Sequence, residues 1–372
     1  MADQKITDLT ENTILALGDL FPMVDDPAGT PATMKVSLDT LLSLFTTHSV
    51  YRQAIINGNF DITQRGTSFT ANGKCFDRWY QFQTSSAITV SQQDGSGVSG
   101  SKYCARVQRN SGSSNTNDMF LLYAGVETRE AEKLAGMKVT LSFYARKGSN
   151  YSASGNSLTV NIKSGTGTNE NFGNSNVYAT GPNTDYSGSI TLTNNWTKYT
   201  ITIASALGSS VSEISVSFVE TPTGTAGVSD YFEITQVQLC AGTVALPFYP
   251  ASINDELRRC KRFYEKSYRY TTYAGTAISA GNDTAAVNTG TNTTNRITLS
   301  QRFSVEKVKA PTLTLYDWAG TSGKITELST ADSATNGNTP SYSTSEEAGF
   351  YVSHSPSTKA GIAFAWVADA EL

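Results

Sequence analysis

Apolar and polar residues alternate along much of the middle of the chain, from Tyr51 to about Pro250. Successive side chains of a strand point to opposite faces, so this pattern predicts strands with one apolar face each. Gly, Asn and Ser turns separate them without crossover helices, which predicts antiparallel sheets packed face to face and excludes a parallel α/β fold. The clearest apolar faces are Val139, Leu141, Phe143 and Ala145; Leu158, Val160 and Ile162; Tyr199, Ile201 and Ile203; and Ile214, Val216 and Phe218.

One predicted strand changes phase at its middle. In YFEITQVQL, Phe232 and Ile234 share one face, whereas the next apolar pair is Val237 and Leu239. An extra residue at position 235 or 236 would turn both pairs inward. We therefore predict a β-bulge there.

A small unit precedes the alternating region. Leu20 to Val24 and Ala32 to Val36 predict two short strands around the turn sequence DDPAGT. Ser37 is then the predicted N-cap of a short helix. Its apolar stripe consists of Leu38, Leu41, Leu42 and Phe45.

A longer helix is predicted after the alternating region, in NDELRRCKRFYEKSY, with Asn254 as its cap. The narrow apolar stripe of this helix is compatible with two arrangements, a helix seam between neighbouring chains and packing on the sandwich. The stripe consists of Ile253, Leu257, Cys260 and Tyr264.

Strands are predicted again after a polar stretch that ends near Asn295. They indicate a second β domain at the end of the chain. Their apolar positions are Ile297 and Leu299, Phe303 and Val305, Leu313 and Leu315, Phe350 and Val352, and Ile362, Phe364 and Trp366.

Length and charge narrow the class of protein. The chain has 372 residues, enough for two to three domains, and 10% of them are aromatic, too many for disorder. The net charge is −4 and there is no basic stripe, which argues against nucleic acid as a partner. We expect no membrane insertion and no secretory export, because the chain has no long apolar run and begins MADQKITDLTENT.

Cysteine and histidine are too scattered for a metal centre. Cys75, Cys104, Cys240 and Cys260 form no CxxC pair, and His48 and His354 are the only histidines. We expect ordinary buried thiols, no disulfide framework and no cofactor.

Five segments, read in order, resemble jelly-roll carbohydrate-binding modules of the galactose-binding-like type over residues 55–240. They are INGNFDITQRG, KYCARVQR, MKVTLSFYARKG, TLTNNWTKYTITI and DYFEITQVQL. Modules of this type often end in a strand with carboxylates that help to hold a calcium ion. This chain has Thr235 and Gln236 there, and neutral groups are poor substitutes around a hard cation, so calcium is in doubt.

The flanking segments resemble tailed-phage fibre, spike and collar proteins. KITDLTENTILALGDLFPMVDD is similar to their virion-attachment module, PFYPASINDELRRCKRFYEKSY to their sandwich-to-helix junction, and GIAFAWVADAEL to the end of their last β domain. The resemblance implies a homotrimer in the virion, assembled in the host cytoplasm, with other virion proteins as partners. The expected fold is mainly β: an attachment module at 1–48, an antiparallel jelly-roll β-sandwich at 49–250, a connecting helix at 251–270 and a β domain at 271–372.

Three aromatic residues are candidates for contact with a host-surface glycan. Tyr144 and Trp196 lie opposite the apolar faces of their strands and are expected to point away from the core. Trp79 is less clear, because Tyr80 and Phe82 take the other face and Asp77 and Arg78 beside it can pair with each other. The alternative for all three is an edge of the sandwich or a subunit interface, where Tyr and Trp are enriched.

Enzyme chemistry has little support in the sequence. Neither histidine has a nucleophile motif beside it, and Glu127, Glu130 and Glu132 fit a solvated turn or short helix. We therefore expect no enzyme, with polysaccharide depolymerase as the minor alternative. The main hypotheses are a virion fibre that contacts host glycans and a purely structural collar or decoration fibre.

Overall fold

The computed structural model describes residues 20–25, 32–37, 50–84, 87–173, 175–248, 250–278, 285–288, 296–328, 334–355 and 361–372. The first strands are β1 (Leu20–Asp25), β2 (Ala32–Ser37), β3 (Ser68–Phe69), β4 (Gly73–Lys74), β5 (Trp79–Gln83), β6 (Ile88–Asp94), β7 (Tyr103–Arg109) and β8 (Met119–Tyr123). The short helix α1 (Thr128–Ala131) precedes β9 (Val139–Lys147), β10 (Ser157–Gly165), β11 (Asn183–Thr191), β12 (Thr197–Thr202), β13 (Glu213–Glu220) and β14 (Tyr231–Ala241).

The last part begins with the helix α2 (Ile253–Lys261). It continues with β15 (Tyr264–Lys266), β16 (Ala285–Asn288), β17 (Ile297–Arg302), β18 (Thr312–Tyr316), β19 (Ile325–Leu328), β20 (Ala334–Asn338), β21 (Tyr342–Glu346), β22 (Gly349–His354) and β23 (Gly361–Asp369). The chain is thus mainly β, as predicted.

The predicted N-terminal hairpin is confirmed. Strands β1 and β2 pair antiparallel from Leu20 opposite Ser37 to Asp25 opposite Ala32. The helix predicted over Leu38, Leu41, Leu42 and Phe45 lies outside the described residues.

Two six-stranded antiparallel sheets form a sandwich. Sheet I has the order β11-β10-β13-β8-β5-β4, and sheet II has the order β12-β9-β14-β7-β6-β3. The apolar faces predicted from the alternation meet between the two sheets, with Leu141, Val160 and Phe218 fully buried there. Tyr199, at the edge, is only partly buried against this core.

The β-bulge predicted in β14 is present. The register against β9 shifts between Thr235 and Gln238, and Gln236 adopts a positive φ of 52°. As a result the pairs on both sides of the bulge are buried in the core: Phe232, Ile234, Val237 and Leu239. The side-chain amide of Gln236 donates to the Ser99 carbonyl oxygen at 2.7 Å, which ties the loop before β7 to the bulge.

The helix α2 is shorter than predicted and has a different cap. Ser252, and not Asn254, is the N-cap, since its hydroxyl accepts a hydrogen bond from the Asp255 amide at 3.2 Å. The helix ends at Lys261 because the chain then extends into β15, where Tyr264 pairs with Asp369 of β23.

Strand β23 is the centre of the last β part. It pairs with β15, β16, β18 and β19, while β17, β22 and β21 form a second sheet. The predicted strands there are present except at Phe303 and Val305, which follow the end of β17. The core of this part consists of Ile297, Phe303, Leu315, Ile325, Phe350, Val352, Ile362, Phe364, Trp366 and Ala368.

The residues after β23 are buried against sheet I. Arg78, with no exposed side-chain surface, forms an ion pair with Glu371, whose side chain is 1% exposed. The Arg78 guanidinium lies 3.5 Å from the centre of the Phe263 ring, and the Tyr80 hydroxyl donates to the Leu372 carbonyl oxygen at 3.1 Å. The sandwich and the last β part are therefore joined by buried polar contacts.

The local pairing of Asp77 with Arg78 considered from the sequence is not formed. The Asp77 carboxylate accepts hydrogen bonds from the Gln64 amide at 2.7 Å and from its side-chain nitrogen at 2.6 Å. Arg78 has a positive φ of 70°, and its guanidinium reaches Glu371 at the far end of the sequence. The partner of Arg78 is thus fixed by tertiary packing, which sequence neighbours cannot indicate.

The acidic segment before β9 forms a short helix and a 3₁₀ turn, in agreement with the predicted turn or short helix. Helix α1 and a 3₁₀ turn at Glu132–Leu134 contain or adjoin the three glutamates. Glu130 pairs with Lys133 at 2.7 Å, and Glu127 pairs with Arg262 beyond α2.

Candidate functional site

A row of charged side chains crosses the outer face of sheet II. Arg106 on β7, Glu233 on β14 and Arg146 on β9 are direct neighbours in the strand register. All three have the parity opposite to the apolar core positions of their strands, so they project from the sandwich. We call these three residues the charged row.

The Glu233 carboxylate is held by both arginines. Its Oε1 accepts hydrogen bonds from Arg106 Nε at 2.8 Å and Nη2 at 2.6 Å, and its Oε2 accepts one from Arg146 Nε. The Glu233 side chain has no exposed surface, whereas those of Arg106 and Arg146 are 23% and 31% exposed. The carboxylate therefore fixes two guanidinium groups whose outer edges remain in solvent.

Aromatic rings lie at both ends of the charged row. The Arg106 guanidinium carbon is 3.9 Å from the centre of the Tyr231 ring, and that of Arg146 is 4.6 Å from the centre of the Trp196 ring. Such cation–π contacts further restrict both arginines. The face thus combines fixed cations with flat apolar surfaces.

Tyr144 lies beside the charged row, two residues before Arg146 on β9. It is half-buried and sits between Lys198 of β12 and Thr235 of β14 in the register. The outward orientation predicted for Tyr144 is confirmed, since Phe143 and Ala145 on either side are in the core. Its contact with sugar stays a prediction.

Trp196 forms a wall of the same face. Its indole is half-buried, and a Cβ atom on Gly97 would lie only 2.8 Å from its Cδ1. The loop after β6 therefore packs against the edge of the indole ring. The indole nitrogen is buried and has no hydrogen-bond partner among the described residues.

Trp79, the third predicted glycan contact, is a core residue, and that prediction is wrong. Its side chain is 1% exposed, and its indole nitrogen donates to the Asn57 carbonyl oxygen at 3.1 Å. Its ring centre lies 5.0 Å from that of Phe60 and 5.3 Å from that of Tyr123. The other parity of β5 faces outward, where Tyr80 is covered in its turn by a further apolar cluster.

The four residues predicted as an oligomer seam do not share one exposed surface. Cys260 and Tyr264 are buried within this chain, Leu257 is half-buried and Ile253 is 56% exposed. Tyr264 belongs to β15 and not to the helix, so the helical spacing breaks before it. Packing within the chain accounts for the burial of Cys260 and Tyr264, and the homotrimer stays a prediction.

The strand position considered for calcium is occupied by hydrogen bonds between neutral groups. Thr235 Oγ1 donates to the Tyr103 carbonyl oxygen at 2.8 Å, while Gln236 binds Ser99. Among the described residues, no three His, Cys, Asp or Glu side chains come together as a metal site. These residues do not fit a calcium ion, because a committed hydroxyl and a side-chain amide replace the expected carboxylates.

The four cysteines are free and buried. Burial raises the pKa of the Cys75 and Cys104 thiols to about 12. His354, whose ring nitrogen lies 2.6 Å from a Glu327 carboxylate oxygen, is buried in the last β part. Within the described ranges, no helix is long and apolar enough to cross a membrane.

The residues of the candidate site that the sequence did not indicate are the charged row and Tyr231. Their outward parity is visible in KYCARVQR and DYFEITQVQL. Their alignment depends on β14 lying between β7 and β9 in one particular register, which the sequence does not state.

No protein-family model matches the chain, and no curated protein matches it. Among solved structures, the chain is similar to the enzymatically active domain of bacteriophage CBA120 tailspike protein 4, with 12% identity and a TM-score of 0.32 over 52% of this chain and 22% of that chain. It is also similar to a CBM4 structure, with 18% identity and a TM-score of 0.32 over 50% and 99% of the two chains. A third is TmCBM61 in complex with β-1,4-galactotriose, with 16% identity and a TM-score of 0.31 over 51% and 99%. This chain spans less than a quarter of the tailspike chain, and at these TM-scores no ligand is transferred from these proteins to it.

Proposed function

We propose that the outer face of sheet II binds a glycan, and that the chain is a structural protein of a tailed-phage virion, in a fibre, spike or collar, that contacts the host surface. The observation that supports binding is the charged row between Tyr231 and Trp196, with Tyr144 beside it. Sugar recognition needs flat apolar surface for the ring and fixed polar groups for its hydroxyls. This face offers both on a rigid sheet.

The virion role is proposed from the sequence resemblance alone. It assigns residues 1–48 to attachment on other virion proteins, 49–250 to the glycan-binding sandwich, 251–270 to the connecting helix and 271–372 to an outer β domain. Light scattering of the purified chain tests the homotrimer, because a stable monomer at micromolar concentration contradicts it.

The test of glycan binding is a glycan array probed with the purified chain and two variants, Tyr144→Ala and Trp196→Ala. Both variants are expected to lose most of the binding, since each removes an aromatic side chain of the face. Tyr351→Ala is the matched control, because Tyr351 is 37% exposed on β22, in the last β part. Binding that survives both face variants contradicts the proposal.

The second candidate is a purely structural fibre. It is favoured by the intramolecular engagement of Arg106, Arg146 and Trp196, which also stabilises the sheet without any ligand. Absence of binding across the array, together with normal host adsorption by virions lacking the chain, supports this alternative.

We also propose that the chain is not an enzyme. Purified protein incubated with host capsule or lipopolysaccharide is expected to release no oligosaccharide. Released oligosaccharide would establish the depolymerase alternative.

A further inference from the structure

Positive charge is in excess on the outer face of sheet II, although the whole chain carries −4. Among the described strand residues of this face, Arg106, Arg146 and Lys198 are basic, and Glu233 and nearby Asp94 are acidic. Glu233 is internally neutralised, since both of its oxygens accept from the arginines. Asp94 is exposed and accepts a hydrogen bond from the Ser96 amide at 2.9 Å; this bond first, and the Arg146 charge to a smaller degree, keep its pKa below the usual range.

Glu233 holds both arginines in place, but each arginine has further hydrogen-bond donors that Glu233 does not engage. Arg146 gives only its Nε to Glu233, and its two terminal nitrogens make no hydrogen bond to the described part of the chain. Arg106 donates from Nε and Nη2 to Glu233, and its Nη1 makes no hydrogen bond to the described residues. The planar guanidinium is suited to bind two oxygens of a carboxylate, sulfate or phosphate at once.

The neighbours of Arg146 place a sugar-sized surface beside this cation. Tyr144 lies two residues away on the same strand face, and Lys198 is directly opposite Tyr144 in the register and exposed. An anionic group on Arg146 therefore brings the rest of its sugar over Tyr144, with Lys198 at its far side. A neutral sugar leaves the surplus charge of this face unpaired.

We infer that the glycan bound by sheet II is anionic, that Arg146 takes its acidic group while Tyr144 contacts the sugar ring, and that Lys198 supplies a second positive charge at the far side of the sugar. This inference deepens the proposed function and rests on it. It adds that the ligand carries negative charge, which glycan binding alone does not require.

The direct test compares sugars that differ only in charge. The intact chain is titrated with an oligogalacturonate and with its methyl ester, which keeps the sugar and removes the negative charge, and an array of neutral, carboxylated, sulfated and phosphorylated glycans is probed in parallel. We expect the free acid to bind at least about tenfold more tightly than the ester, equivalent to ~1.4 kcal/mol. The preference should fall as salt rises, because surface charges are screened.

Two variants locate the preference on the predicted residues. Lys198→Gln removes an exposed charge and is expected to lower affinity for acidic glycans several-fold, while its effect on neutral ones is small. Arg146→Lys keeps the charge but loses the planar fork, so it should weaken acidic binding more than Lys198→Gln does. Thermal unfolding of each variant separates loss of binding from loss of fold, and Lys324→Gln, in the last β part, is the charge-matched control.

The outcomes separate this inference from the proposed function. Equal binding of acid and ester, or array binding by neutral glycans only, overturns the inference and leaves glycan binding intact. An acidic preference unchanged in both folded variants also overturns it, since the charge then acts elsewhere. Absence of binding to every glycan removes the proposed function and the inference together. The arms of the array distinguish carboxylate from sulfate and phosphate as the recognised group.

Discussion

Glu220 is a buried acid whose effect on stability depends on pH. It is the last residue of β13, it is fully buried, and neither of its carboxyl oxygens accepts a hydrogen bond from the described residues. Burial, and then the nearby charge of Asp230, raise its pKa well above the ordinary value, while Arg109 acts in the opposite direction. Arg109 is itself committed to Asp230, at 2.9 Å, and to several backbone carbonyl oxygens. The folded state therefore favours the protonated acid.

The sign and size of the effect follow from proton linkage. Between the unfolded-state pKa of Glu220, about 4.3, and its raised folded-state pKa, the folded chain holds one more proton than the unfolded chain. The free energy of unfolding then falls by about 1.4 kcal/mol for each unit of pH through this window. Below pH ~4.3 the acid is protonated in both states and causes no loss.

The perturbation is Glu220→Gln, followed by urea unfolding at pH 5, 6 and 7. Glutamine does not titrate, and any packing cost that it causes is the same at each pH. The unfolding free energy of the variant relative to the wild type should therefore rise with pH, at a rate that approaches about 1.4 kcal/mol per pH unit for as long as the pH stays below the raised folded-state pKa of Glu220. Glu130→Gln, at an exposed glutamate paired with Lys133, is the control and should show no comparable slope. A difference between Glu220→Gln and wild type that stays constant across these pH values would refute the reasoning.

Two further substitutions test the contacts between distant segments. Glu371→Gln removes the charge that neutralises buried Arg78, so urea unfolding should show that the free energy of unfolding falls by about 3 kcal/mol or more. Glu346→Gln, at an exposed position, is the control and should change it little. A loss below ~1 kcal/mol for Glu371→Gln would mean that the Arg78–Glu371 pair is solvated. Gly97→Ala places a Cβ 2.8 Å from the Trp196 ring, so the tryptophan emission should shift. In a Trp196→Phe background, Gly97→Ala should cause no such shift, and a shift that persists in that background would disprove the contact.

Period-two alternation predicts the sandwich well because burial between two sheets enforces it on every strand. The same reasoning predicts the bulge, since Phe232 and Val237 cannot both face inward without an extra residue between them. The end of α2 is different. Tyr264 continues the helical stripe in sequence, yet it pairs as a strand with Asp369, a partner more than 100 residues away that no local pattern contains.

The candidate site was only partly accessible from the sequence for a related reason. Parity gives the outward orientation of Tyr144, which depends on one strand alone. The charged row depends on three strands that are far apart in the chain, so Arg106, Glu233 and Arg146 become neighbours only when strand order and register are fixed. The prediction for Trp79 is wrong because both faces of β5 are covered, one by the core and the other by a separate apolar cluster. The sequence of β5 alone does not show which face meets the core.

The two outer faces of the sandwich differ in what covers them, and this difference supports the proposal that sheet II is the binding face. On sheet I, Tyr80 and Leu122 are buried beneath Phe172 and Tyr178, and the Tyr80 hydroxyl also binds the Leu372 carbonyl oxygen. These contacts leave the middle of that sheet inaccessible to a large ligand. On sheet II, the charged row keeps partly exposed guanidinium groups at the centre of the sheet. The buried Glu233 carboxylate between two partly exposed arginines adds little net stability, because its desolvation offsets much of the attraction between the charges. Its position on the open face, between two aromatic rings, is what a preorganised binding surface requires.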